Sequence, residues 1–323
     1  TGCQMANFTC LAAARHAVLR DAGWNVEEQG LQGAPRVNVI IGAEAHVTIH
    51  VALRMLGLGS RNAIEVATDG EGRMKVEELQ HVLSRVSGPT IVCAQAGNVN
   101  TGSFDPLPAI VAVVKERGAW LHVDAAFGLW ARAAESRRAL ADGAELADSW
   151  ATDAHKWLNV PYDCGVAIVR DAAALRASMT SKAAYLEQTS GVERDNLDWN
   201  PEFSRRARGV TVYAALRSLG RQGVADLVER CCAHARRFAG ILGGDSRVKI
   251  LNDVVLNQVL VRFGDSDLLT RNTIARVQQE GTCWLAGTTW HDMAAMRISV
   301  SNWATSEEDV DRSAEAILRS IDL

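Results

Sequence analysis

Hydrophobic positions recur along the first two thirds of the chain with two alternating periods. Phe8, Leu11, Ala12, Val18, Leu19 and Ala22 share one helical face, and Leu107, Ile110, Val111 and Val114 fall at i, i+3, i+4 and i+7. Between such stretches lie short apolar runs at 37–41, 63–66, 90–93, 120–123, 149–152 and 164–169, which read as strands. Further helices are expected over 46–56, 76–86 and 136–141. The run Val39-Ile40-Ile41 is apolar at every position, so both faces of its strand need cover. Strands that alternate with helices in this way predict an α/β domain with a mostly parallel sheet, assigned to residues 1–215.

Beyond residue 215 the texture changes. A long helical stretch at 224–242 precedes short strands at 248–251 and 256–263, a helix near 268–279, and strands at 282–285 and 296–301. This mixture predicts a smaller α+β domain over 216–323. In the last helix Thr305 and Glu308 have the spacing of a capping box, and Val310, Ala314, Ile317 and Ile321 form one apolar face. The polar, turn-forming stretch 195–201 predicts a mobile loop near residues 180–200. The chain starts at Thr1 already inside a helix-start pattern, so a preceding segment is expected to be missing.

Composition narrows the function classes. Hydrophobic residues make up 48% and charged residues 22%, an ordinary globular balance that argues against disorder. A net charge of −4 calls for no nucleic-acid or anionic-membrane partner. The seven cysteines are scattered without a Cys-x-x-Cys pair, which suits a reducing cytoplasm and gives no sign of a metal module. No apolar run is long enough to span a bilayer. Lysine is scarce, so lysine chemistry must use Lys75, Lys115, Lys156, Lys182 or Lys249. His122-Val-Asp124-Ala-Ala126 closes one expected strand, and Asp153-Ala-His155-Lys156-Trp157 follows the next. Ligands of open α/β sheets sit at the carboxyl ends of strands. A carboxylate and an amine converging there suit pyridoxal phosphate, whose aldehyde needs an amine and whose ring nitrogen needs an acid partner.

The segment 148–165, with its His155-Lys156-Trp157 core, resembles the lysine segment of the pyridoxal-phosphate-dependent group II amino-acid decarboxylases, and 122–126 resembles their pyridine-nitrogen segment. That family includes aromatic-amino-acid, glutamate, histidine and diaminobutyrate decarboxylases. The resemblance implies an aminotransferase-like large domain (the fold type I of pyridoxal-phosphate enzymes) with its N-terminal segment and one edge strand absent, plus the small C-terminal domain. It implies a cytoplasmic homodimer with shared active sites acting on an amino acid. Lys156 becomes the lysine joined to the cofactor aldehyde, and Asp124, within the stretch that ends at Ala126, the partner of the ring nitrogen. His46 matches the histidine stacked on the ring, although the residues alone read it as a helix cap. His155 falls near the phosphate and the aldehyde carbon. Gly2, Cys3 and Gln4 match the phosphate-binding turn that opens a helix, where free N–H groups favour an anion. Tyr185 matches a loop tyrosine that returns a proton to the substrate carbon after decarboxylation, and Arg297 resembles an arginine that clamps a substrate carboxylate.

Three positions, in two segments, depart from the family pattern. Asp153 stands where an asparagine is common, which places an acid beside the phosphate site and is similar to carbon–carbon lyases of phosphorylated sphingoid bases. Asn98 and Asn100 replace an expected threonine-rich turn and are given a loose cofactor role. The leading reading is decarboxylation of an L-amino acid to its amine. The alternatives are another enzyme on the same cofactor, a lyase or aminotransferase, or a cofactor-binding protein without turnover.

Overall fold

The computed structural model describes residues 1–181 and 194–321. Helix α1 (Cys3–Asp21) and the short α2 (Val26–Gln29) lead into β1 (Asn38–Gly42), α3 (Val47–Met55), β2 (Ile64–Val66), α4 (Val76–Arg85), β3 (Thr90–Gln95), α5 (Leu107–Glu116) and β4 (Trp120–Asp124). Strands β5 (Ser149–Asp153) and β6 (Gly165–Val169) complete a six-stranded sheet in the order β2-β1-β3-β4-β5-β6. All its pairings are parallel except β5 with β6.

Both faces of the sheet are covered, as the unbroken apolar runs require. Val39 and Ile41 of β1 face α1 and α3, whereas Ile40 joins Val92, Leu121 and Val123 on the opposite face beneath α4 and α5. Helix α1 lies across β4, β5 and β6 and aims its first turn at the carboxyl ends of β4 and β5 and the start of the antiparallel β6. Gly165 permits this approach: a Cβ there would sit 2.4 Å from the Gly2 carbonyl carbon. Its backbone N–H donates instead to the Thr1 carbonyl.

After β6 come α6 (Ala172–Met179) and α7 (Arg208–Gly243). Helix α7 runs straight through residues 215–216, and its backbone breaks at Gly220, where φ is +62°. A four-stranded antiparallel sheet follows, in the order β7 (Val248–Ile250), β8 (Gln258–Phe263), β10 (Met293–Ser299), β9 (Ala286–Trp290), with α8 (Asp267–Glu280) and α9 (Glu307–Arg319) packed on it.

Four local expectations need correction. The capping box of α9 is Ser306 with Asp309, one residue after the expected pair: Asp309 N donates to Ser306 Oγ at 3.2 Å and Ser306 N to Asp309 Oδ2 at 3.0 Å. The helix expected over 136–141 is a string of 3₁₀ turns. Residues 282–285 form no strand; the pairing shifts to Ala286–Trp290, because the tight turn at His291 and Asp292, both at positive φ, sets the register of Trp290 on Met293. Helix α6 was unexpected, although Asp171 caps it by accepting from Ala174 N at 2.9 Å. Among the described residues no helix is long and apolar enough to cross a membrane.

Candidate active site

Strands β4 and β5 are parallel neighbours, so Asp124 at the end of one and Asp153 at the end of the other open into the same crevice. The first turn of α1 closes it. Cys3 N donates to Asp153 Oδ1 at 2.6 Å, and the Cys3 thiol reaches Asp124 Oδ1 at 3.6 Å. Burial first, then the two carboxylates, raises the Cys3 thiol well above its usual range, so it stays protonated and acts as a donor. Lys156 sits just beyond β5 and extends its Nζ to 3.0 Å from Asp153 Oδ2. Asp153 is 2% exposed, but the lysine side chain retains 38% exposure, so its amine is open to a ligand.

Asp124 is held from three sides. Asn7 Nδ2 donates to its Oδ2 at 3.1 Å, Ala126 N donates to Oδ1 at 3.2 Å, and the Cys3 thiol supplies the third contact. Cys3 and Asn7 are i and i+4 on α1 and share one helical face. Behind Asn7 stand His122, Ser149 and Trp120, all buried and joined in series. Burial pushes the His122 imidazole down to about 3, so it is neutral.

His46 caps α3, its Nδ1 accepting from Thr48 N at 3.4 Å and lying 2.8 Å from Thr48 Oγ1. It also lines a small cavity with Gly42, Ala45 and Asp124, which adjoins the crevice through Asp124, so the capping role and a position beside the site coexist. Burial is the main force holding its pKa down; Lys156 and Arg297 add to that, and Asp124 and Asp153 oppose it. His155 Nδ1 accepts from Cys164 N at 3.0 Å, which leaves the proton on Nε2, 3.6 Å from Asp153 Oδ1. Its ring stacks on Tyr162 at 4.1 Å between centroids.

Gly2 is the N-cap of α1, and Gln4 points outward to solvent. Arg297 is half-buried on β10, and its Nη1 donates to the Val99 carbonyl at 3.1 Å. That contact joins the small sheet to the 98–101 turn. Asn98 and Asn100 serve this turn directly: Asn98 Oδ1 accepts from the Asn100 and Thr101 N–H groups, and Asn100 Oδ1 accepts from Thr288 of β9. Tyr185 lies outside the described residues. The arginines at 205, 206 and 208 bond to nearby carbonyls or to Asp163, a structural use. Sequence reasoning missed Asn7 and the Cys3 thiol as partners of Asp124, and Ser149 behind them; the i, i+4 pairing of Cys3 and Asn7 on α1 was the available signal.

The chain is 34% identical over 243 residues to the acidic amino acid decarboxylase GADL1 of Mus musculus, a match covering 73% of this chain and 44% of that protein. It is 30% identical over 295 residues to the L-2,4-diaminobutyrate decarboxylase of Rhizobium meliloti (strain 1021), covering 86% and 59%. The chain thus spans about half the length of the curated relatives it matches. Among solved structures, Oryza sativa TDC with PLP and tryptamine superposes with a TM-score of 0.90 at 26% identity, covering 98% of this chain and 68% of that one. Mouse CSAD gives a TM-score of 0.91 at 24% identity, a likeness of fold, covering 100% and 71%. The model of the pyridoxal-dependent decarboxylase conserved domain matches residues 1–263, and the chain belongs to that family.

Proposed function

We propose that this chain binds pyridoxal phosphate in the crevice between β4, β5 and α1 and carries the decarboxylation of an L-amino acid to its amine. The observation behind the reading is the meeting of Lys156, Asp153 and Asp124 around one residue, Cys3. The donor set fits the cofactor: an exposed amine for its aldehyde, a buried carboxylate for its ring nitrogen, and a helix N-terminus for its phosphate.

Bound pyridoxal phosphate supplies an electron-accepting ring into which the electrons of a breaking bond to the substrate carbon can flow. Lys156 would present its amine to the cofactor aldehyde. Asp124, held as an acceptor by Asn7, Ala126 and Cys3, keeps a proton on the ring nitrogen. The neutral His46 imidazole offers a flat wall to the ring. His155, locked by Cys164 and Tyr162, orients the Asp153 side of the site. Arg297 offers a cation to a substrate carboxylate from the small sheet. Tyr185 returns the proton to the substrate carbon as carbon dioxide departs, a step that needs a positioned donor.

Product analysis over a panel of L-amino acids tests this. The wild type should release amine and carbon dioxide in equal amounts, and Tyr185→Phe should lose amine formation. A keto acid, or a carbon–carbon cleavage product without carbon dioxide, would overturn decarboxylation. The second outcome would favour the lyase reading that Asp153 supports.

A further inference from the structure

The polar groups behind Asp124 form one directed line. Trp120 Nε1 donates to Ser149 Oγ at 3.0 Å, Ser149 Oγ lies 2.9 Å from His122 Nδ1, and His122 Nε2 lies 2.9 Å from Asn7 Oδ1. Asn7 Nδ2 then donates to Asp124 Oδ2 at 3.1 Å. All five residues are buried.

The proton positions follow from which groups can donate. An ionised Asp124 only accepts, so Asn7 turns its amide N–H₂ to it and its carbonyl to His122. That carbonyl only accepts, so His122 carries its proton on Nε2 and accepts at Nδ1. Ser149 donates to that nitrogen and accepts from Trp120. Every donor meets an acceptor.

Protonating Asp124 toward Asn7 would require each member to reverse. Asn7 would flip and donate to His122, and His122 would donate from Nδ1 to Ser149. The Trp120 indole cannot reverse, since it has a donor and no acceptor. Two N–H groups would then point at one hydroxyl, and the Ser149 proton would turn to the Cys10 sulfur, a weak acceptor. The line is therefore anchored in one direction by an indole 8% exposed at its far end.

We propose that Trp120, Ser149, His122 and Asn7 act as positioning residues that keep Asp124 Oδ2 an acceptor and fix the orientation of the carboxyl group, and thereby set the affinity of the site for a protonated pyridine ring. This rests on the pyridoxal-phosphate reading above. It concerns groups that touch neither cofactor nor substrate, apart from Asp124 itself.

The test is spectroscopic titration of the whole chain with two probes: pyridoxal phosphate, and the analogue whose ring nitrogen is replaced by CH. Wild type should bind the first more tightly, because the analogue gives Asp124 nothing to pair with. His122→Leu frees the Asn7 amide, so that Asp124 loses the hydrogen bond Asn7 donates to it; pyridoxal phosphate should bind about tenfold more weakly, with the analogue unchanged. His122→Gln keeps an amide donor for Asn7 and should restore most of the difference. Ser149→Ala, a milder change, should move the pyridoxal phosphate affinity in the same direction by a smaller factor, and serves if His122→Leu does not fold. Equal weakening of both probes, or no weakening of either, would overturn the proposal. A wild type that binds neither probe would instead overturn the cofactor reading.

Discussion

Asp153→Asn asks whether the acid at the end of β5 opposes the cofactor phosphate. The carboxylate accepts from Cys3 N at 2.6 Å, the same first-turn N–H that an anion at the start of α1 would use. A phosphate oxygen on that N–H would lie at most about 5.5 Å from the Asp153 oxygen, since the two contacts share one nitrogen. Two unit charges at that separation repel by about 3 kcal/mol at an effective dielectric of 20. The Lys156 ammonium, 3.0 Å from the other carboxylate oxygen, offsets part of this, and its 38% exposure screens the offset. A net penalty of about 1.5 kcal/mol remains, roughly tenfold in affinity. Asparagine keeps an oxygen for Cys3 N and removes the charge. Asp153→Asn should therefore bind pyridoxal phosphate about tenfold more tightly, with pyridoxal, which lacks the phosphate, changed far less. Fluorescence or absorbance titration of both compounds reads this directly. Weaker phosphate binding in the variant would refute the repulsion argument and make Asp153 a required partner of Lys156.

Two other outcomes follow from the same geometry. Asp105 is buried and accepts from Met74 N and Gln95 N, both at 2.7 Å, yet burial raises its pKa to about 6. A carboxyl raised on folding stabilises fully below its unfolded value and loses that contribution as pH rises through the folded one, here about 3 kcal/mol between pH 4 and 6. Urea unfolding of wild type and Asp105→Asn should show the wild-type advantage shrinking as pH rises over that span, and an advantage that grows would contradict the assignment. Val210, Tyr213 and Leu216 form an exposed apolar stripe on α7, with Phe203 beside it, a surface suited to the homodimer that the family resemblance implies. Sedimentation velocity should show a dimer that Tyr213→Glu dissociates, and a wild type monomeric at all concentrations would contradict it.

The sequence exposed the large sheet clearly because its central strands are buried on both faces, so runs such as Val39-Ile40-Ile41 and Thr90–Gln95 carry a signal that needs no tertiary information. Strand β9 did not stand out: Ala-Gly-Thr-Thr-Trp gains its conformation from pairing with β10 rather than from its own preference. Lys156 and Asp124 were legible as ends of neighbouring parallel strands. Their surroundings were not, because Asn7 reaches Asp124 across 117 residues and Cys3 reaches Asp153 across 150. His46 shows why one residue can support two readings, since its ring nitrogen caps α3 while its face borders the crevice.

The central claim is that Lys156 holds pyridoxal phosphate in this crevice, and an absorption spectrum of the purified chain with added cofactor tests it most directly. The wild type should develop a visible band that borohydride abolishes, leaving the cofactor covalently attached at Lys156 by peptide mass analysis. Lys156→Ala should show neither the band nor the attachment. A band of equal strength in the variant, or borohydride labelling at another lysine, would contradict the account.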